Sequence, residues 1–108
     1  MSLSDQSPIF SSLSDDPDMP ELLEEFVSNL QDRIANIQAL VNLDDVGELA
    51  RLAHQLKGTS GSYGFMAISE AAARLEQSAQ LADSASDLEN EVRQLILLCQ
   101  RARAAPAS

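Results

Sequence analysis

The chain has 108 residues, enough for one hydrophobic core but not for two. Its 17 acidic residues against 7 basic give a formal charge of −10, which repels phosphate backbones and anionic lipid and so argues against nucleic acid or membrane partners. No apolar run approaches the roughly 20 residues that span a bilayer, and no basic-then-apolar leader opens the chain, so a soluble cytoplasmic protein is expected. The single cysteine, Cys99, excludes an intramolecular disulfide framework and, at the end of the apolar run from Leu95, is expected in the core.

Residues 1–19 are rich in Ser, Asp and Pro, with Ile9, Phe10 and Leu13 as their sizeable apolar cluster. They read as a mostly irregular lead-in whose apolar trio lies over one end of the fold. Asp16-Pro17 and Met19-Pro20 both offer a helix start, because proline is tolerated in the first turn and the acids Glu21, Glu24 and Glu25 suit the positive end of the helix dipole. Leu23, Phe26, Val27, Leu30, Ile34, Ile37 and Val41 then recur at helical spacing and predict one helix over Pro20 to Asn42. Asn42-Leu43-Asp44-Asp45 is a turn with an aspartate available to cap a second helix, whose apolar positions are Val46, Leu49, Ala53, Leu56, Ser60 and Tyr63. Gly64 can end it in a left-handed conformation. A third helix is expected from about Phe65 to Leu81, alanine-rich and so able to approach a neighbour closely. After a polar turn at Asp83-Ser84, the positions Leu88, Val92, Leu95, Ile96 and Cys99 mark a fourth, fraying into a tail over residues 104–108.

Four amphipathic helices with short connections and no convincing strand predict an all-α fold, an antiparallel four-helix bundle over residues 20–103. With no second apolar stripe, the bundle is expected to be a monomer.

All four glycines, at 47, 58, 61 and 64, fall within the 18 residues that also hold the only histidine, His54, and the only lysine, Lys57. Glycine inside a helix costs about 1 kcal/mol relative to alanine, so something must favour the missing side chains. At ~100° per residue, the core stripe of the second helix spans an arc of roughly 100° and His54 lies about 130° from its centre. Gly47, Gly58 and Gly61 fall within about 40° of His54 on the same wheel, and Lys57 is its i+3 neighbour. The histidine is therefore expected on an exposed face cleared of side chains, with one cation beside it.

An isolated imidazole titrates near ~6.5 and is largely neutral at physiological pH, so it can act as a nucleophile without a separate base. Phosphoryl transfer suits such a site, since its transition state asks for positioning and charge stabilisation more than for covalent machinery. The competing reading is an ordinary surface histidine next to a flexible glycine loop. A metal site is not expected: one His and one Cys lie 45 positions apart, and Arg51 stands where a Glu-x-x-His motif would have its glutamate. Gly58-Thr59-Ser60-Gly61 lacks the lysine and following hydroxyl of a nucleotide-binding loop, so no ATP site is expected.

The segment Ala53-His54-Gln55-Leu56-Lys57-Gly58-Thr59-Ser60-Gly61-Ser62-Tyr63-Gly64-Phe65 resembles the signature of histidine-containing phosphotransfer domains: a histidine, an apolar residue at +2, lysine at +3, glycine at +4 and glycine at +10. Leu75-Glu76 resembles the family's leucine and following polar residue that lie beside the active histidine. The resemblance implies a four-helix bundle with His54 as phospho-acceptor, Lys57 as the cation stabilising the phosphoryl group, and Gly58 leaving room for a docking receiver domain. Gly61, Ala50 and Arg51 would border that docking zone, and Glu76 would orient the imidazole. It further implies a carrier that is not itself an enzyme. Such a carrier would pass phosphoryl groups between aspartates of response-regulator receiver domains, supplied by a hybrid sensor histidine kinase. It would need no cofactor of its own, the magnesium residing on the receiver. The rival from another class is a helical interaction module without chemistry.

Overall fold

A computed structural model describes residues 7–104. Four helices, α1 (Pro20–Asn42), α2 (Val46–Ser62), α3 (Met66–Leu81) and α4 (Glu89–Arg101), enclose one hydrophobic core. Two short strands, β1 (Ile9–Phe10) and β2 (Ala102–Arg103), flank them.

Of the two possible starts for α1, Pro20 is used, at the first helical position and followed by Glu21. Asp16 is occupied elsewhere: its carboxylate accepts from the Asp18 amide at 2.9 Å and its carbonyl from the Met19 amide at 3.1 Å, closing a turn ahead of the helix. The buried stripe of α1 is Leu23, Phe26, Leu30, Ile34 and Ile37, the spacing its sequence implies.

α1 and α2 end on the same backbone device. At the end of α1 the Asp45 amide bonds the Leu40 carbonyl and the Asp44 amide bonds the Val41 carbonyl. At the end of α2 the Phe65 amide bonds the Ser60 carbonyl and the Gly64 amide bonds the Gly61 carbonyl. Both are Schellman closures, which need one residue in the left-handed region, and these are Asp44 (φ 57°) and Gly64 (φ 82°). Aspartate tolerates that region better than most side chains, and here its Oδ1 accepts a 2.6 Å bond from the Ala85 amide. Asp45 then caps α2 through the Glu48 amide, 3.2 Å away.

Phe65 begins the third helix as its N-cap instead of lying inside it, and is fully buried. Its ring stacks on Phe26 with centroids 5.3 Å apart, and Tyr63 closes on Phe26 from 5.2 Å. α2 and α3 pack together more extensively than any other helix pair, and α3 buries the small residues Ala71, Ala72 and Ala79. Ahead of α4 the apolar periodicity runs two elements together. Ser84 and Asp87 form a reciprocal capping box on a 3₁₀ turn, Ala85–Leu88, and the α-helix follows it. Cys99 is buried as expected, and burial pushes its thiol up to about 12. Ser60 is also fully buried, its hydroxyl without a hydrogen-bond partner among the described residues.

The lead-in is the main correction to the sequence reading. The last helix stops at Arg101, and Ala102 and Arg103, expected inside the bundle, pair in parallel with Ile9 and Phe10; of the tail expected over residues 104–108, residues 105–108 lie outside the described residues. Hydrophobic periodicity cannot reveal so short a ladder, because two residues carry no period. Of the expected apolar trio, Ile9 packs on the core, Leu13 is half-buried and Phe10 is exposed. The element that anchors the segment is polar. Ser11 is buried, donates its hydroxyl to the Tyr63 carbonyl and accepts from the Leu13 amide at 2.8 Å, while the Ser12 amide bonds the Gly64 carbonyl at 3.0 Å.

Among the described residues no helix is long and apolar enough to cross a membrane.

Candidate functional site

Leu49, Ala53, Leu56 and Ser60 turn one face of α2 into the core, and that rotation fixes what the opposite face presents. His54 is exposed there, with 65% of its side chain open to solvent. Lys57 stands a turn further on, 38% exposed. Both meet a carboxylate from the neighbouring helix: Glu76 follows the fully buried Leu75 on α3 and so lies at the α2 seam, its side chain only 15% exposed.

Each carboxylate oxygen takes one partner. Glu76 Oε2 lies 2.8 Å from His54 Nδ1, and Glu76 Oε1 accepts from Lys57 Nζ at 3.0 Å. The hydrogen bond from Lys57 is the main reason the Glu76 carboxyl is held below its ordinary value; partial burial pulls the other way, and the bond to His54 adds to the lowering. A carboxyl so stabilised is ionised at neutral pH and can only accept hydrogen bonds. The proton of the 2.8 Å contact therefore belongs to Nδ1, and in a neutral ring the lone pair is left on Nε2. Nε2 has no hydrogen bond among the described residues.

The three glycines expected around His54 prove to have different surroundings. A Cβ on Gly58 would meet nothing within 4 Å, so the small residue leaves open surface beside His54 and Lys57. A Cβ on Gly61 would make ordinary contact with Ser69 on α3, 3.4 Å from its hydroxyl, so it faces the helix seam and not open surface. Gly47 has only the Asp45 carboxylate at 4.0 Å, and nothing in the structure explains it. Ala50 is half-buried and packs against the edge of the core. Arg51 is exposed, but its guanidinium is committed to Glu48 by bonds of 3.1 to 3.3 Å, which raise its pKa further.

Two features are not legible in the sequence. Ser69 donates its hydroxyl to the Lys57 carbonyl at 2.9 Å, tying α3 to α2 beside the site; no pattern singles it out. The Lys57–Glu76 ion pair is the second. The helical wheel places Lys57 beside the histidine with no partner of its own, whereas the structure gives its ammonium group a carboxylate across the helix seam. Among the described residues no group of three or more His, Cys, Asp or Glu side chains is placed to hold a metal ion.

The site is a solvent-facing imidazole midway along one helix of a small helical module, held by a carboxylate from a second helix. A family profile for the Hpt domain matches residues 21–105, and the chain belongs to that family. Hpt domains carry out histidine phosphotransfer in phosphorelay signalling; they are phosphocarriers, not ATP-binding kinases, and interact with receiver domains and kinases. No curated protein and no solved structure gives a significant match to the chain.

Proposed function

We propose that this chain accepts a phosphoryl group on His54 Nε2 from the aspartyl phosphate of one receiver domain and delivers it to the aspartate of another. The observation that carries the reading is the 2.8 Å contact from Glu76 to Nδ1 on an exposed ring. It commits one ring nitrogen to a proton and leaves the other as the nucleophile.

In the forward step the Nε2 lone pair attacks phosphorus and the bond to the aspartyl oxygen breaks, its electron pair leaving with the carboxylate. The ring retains the Nδ1 proton and gains positive character, which the Glu76 carboxylate stabilises. In the return step neutral imidazole leaves, because that proton is still in place, and a neutral leaving group departs more readily than imidazolate. Lys57 contributes positive charge near the equatorial oxygens. Gly58, with open space where a Cβ would stand, gives the receiver room to bring its acyl phosphate into line. Arg51 and Ala50 border that approach, and the magnesium ion belongs to the receiver. The upstream donor in this reading is a hybrid sensor histidine kinase, and the carrier acts as a cytoplasmic monomer.

The test is label transfer from a phosphorylated receiver domain to the wild-type chain and to His54→Gln. Acid-labile, base-stable label on the wild type and none on the variant is the expected result, and ATP alone should label neither. Label that survives the substitution removes His54 as the acceptor. No label from any receiver tried favours a helical interaction module without chemistry.

A further inference from the structure

The charge count at the site changes when it is loaded. With His54 unmodified, the ammonium of Lys57 faces one carboxylate, Glu76, at 3.0 Å, and the two charges balance. A phosphoryl group on Nε2 brings about two negative charges at neutral pH and, with the Nδ1 proton kept, one positive charge on the ring, so the ammonium and the ring together face roughly three negative charges. The nearest alternative cation along α2 is Arg51, and its guanidinium is already bonded to Glu48 at 3.1 Å. An ammonium group has three donors and can touch both anions, but it cannot neutralise both.

Resting on the phosphocarrier reading above, we infer that Glu76 sets the transfer potential of the site by competing with the phosphoryl group for Lys57. Glu76 thus acts in two opposed ways. Through Nδ1 it favours positive character on the ring and speeds the chemistry in both directions. Through Lys57 it withholds part of the countercharge from the loaded histidine, which lowers the fraction of phosphoryl groups resting on the carrier. A carrier serves a relay best when it is not a sink, and the shared lysine prevents it from becoming one. Glu76 is a positioning residue in this scheme; it touches the imidazole and the ammonium group but not the phosphorus.

The test is a double-mutant cycle on the equilibrium partition of phosphoryl groups between the carrier and the receiver domain that labels it. In Glu76→Gln the carboxylate charge is gone and Lys57 is released. The partition should move about tenfold toward the carrier, as expected when an ammonium group held by a carboxylate is released to a phosphoryl group beside it in a half-exposed site, while both transfer rates fall. In a Lys57→Met background the same Glu76→Gln change should move the partition by less than about threefold, because no cation remains to compete for. Ring ¹⁵N shifts of His54 report the tautomer, and circular dichroism verifies that each variant is folded. Equal shifts in the two backgrounds overturn the inference while leaving His54 as acceptor. A Glu76→Gln partition that moves toward the receiver overturns it too. If the wild-type chain takes no label from any receiver, or if His54→Gln still does, the underlying carrier reading fails and this inference fails with it.

Discussion

Gly58 and Gly64 belong to one glycine-rich run in the sequence, yet their surroundings are opposite. At Gly58 an added Cβ would enter empty space. At Gly64 it would come within 2.5 Å of the Ser11 hydroxyl and 2.7 Å of the Ser12 hydroxyl, on a residue whose φ is +82°. The first glycine leaves open surface beside His54 and Lys57, which the proposed docking of a receiver would use. The second lets the lead-in and the end of α2 close on each other. One compositional signal, a cluster of glycines around a histidine, therefore covers at least two different physical situations.

The comparison is broken most directly at Gly64. Gly64→Ala places a side chain in the left-handed region and against the Ser11–Ser12 segment, so stability should fall by roughly 3 kcal/mol. For a domain of this size that is a melting temperature lower by about 15 °C. A loss below about 1 kcal/mol would mean that the lead-in yields easily and that Gly64 is a helix terminator and little more. Gly58→Ala should act in the opposite sense, gaining up to about 1 kcal/mol from helix propensity while slowing transfer from the receiver. Thermal melts and transfer kinetics on the same protein separate the two effects, and a Gly58→Ala variant that transfers at the wild-type rate would sink the docking role.

The smallest effect expected is the acid limb of stability. The Glu76 carboxyl is depressed below its ordinary 4.5 in the folded state, chiefly by Lys57. Its stabilisation is therefore complete above the ordinary carboxyl range and fades as the pH falls through and below it. Glu76→Gln should lose less stability than wild type on acidification below about pH 5, measured by denaturant midpoints across pH. Parallel curves would show that the Lys57–Glu76 contact contributes nothing to the fold, as is common for half-exposed ion pairs.

Much of this protein is written in local patterns. The seven apolar positions of α1 and the six of α2 place the helices because a period of 3.6 is imposed on every turn by the backbone itself. His54 is legible for the same reason: once Leu49, Ala53 and Leu56 face inward, the wheel leaves it facing out. The termination of α2 at Gly64 is legible too, since few residues other than glycine take a positive φ without strain.

Contacts between residues far apart in the chain were decided only in three dimensions. The 3.0 Å bond from Lys57 to Glu76 spans 19 positions, and the Ser11 contact to Tyr63 spans 52. Neither leaves a period or a spacing, because two side chains on different elements meet only after those elements have packed. The sequence by itself therefore determined where the helices run and which face carries the histidine. Tertiary structure decided what the lysine touches and the geometry by which Glu76 meets the histidine, because a hydrogen bond depends on separations of tenths of an ångström that no linear pattern encodes.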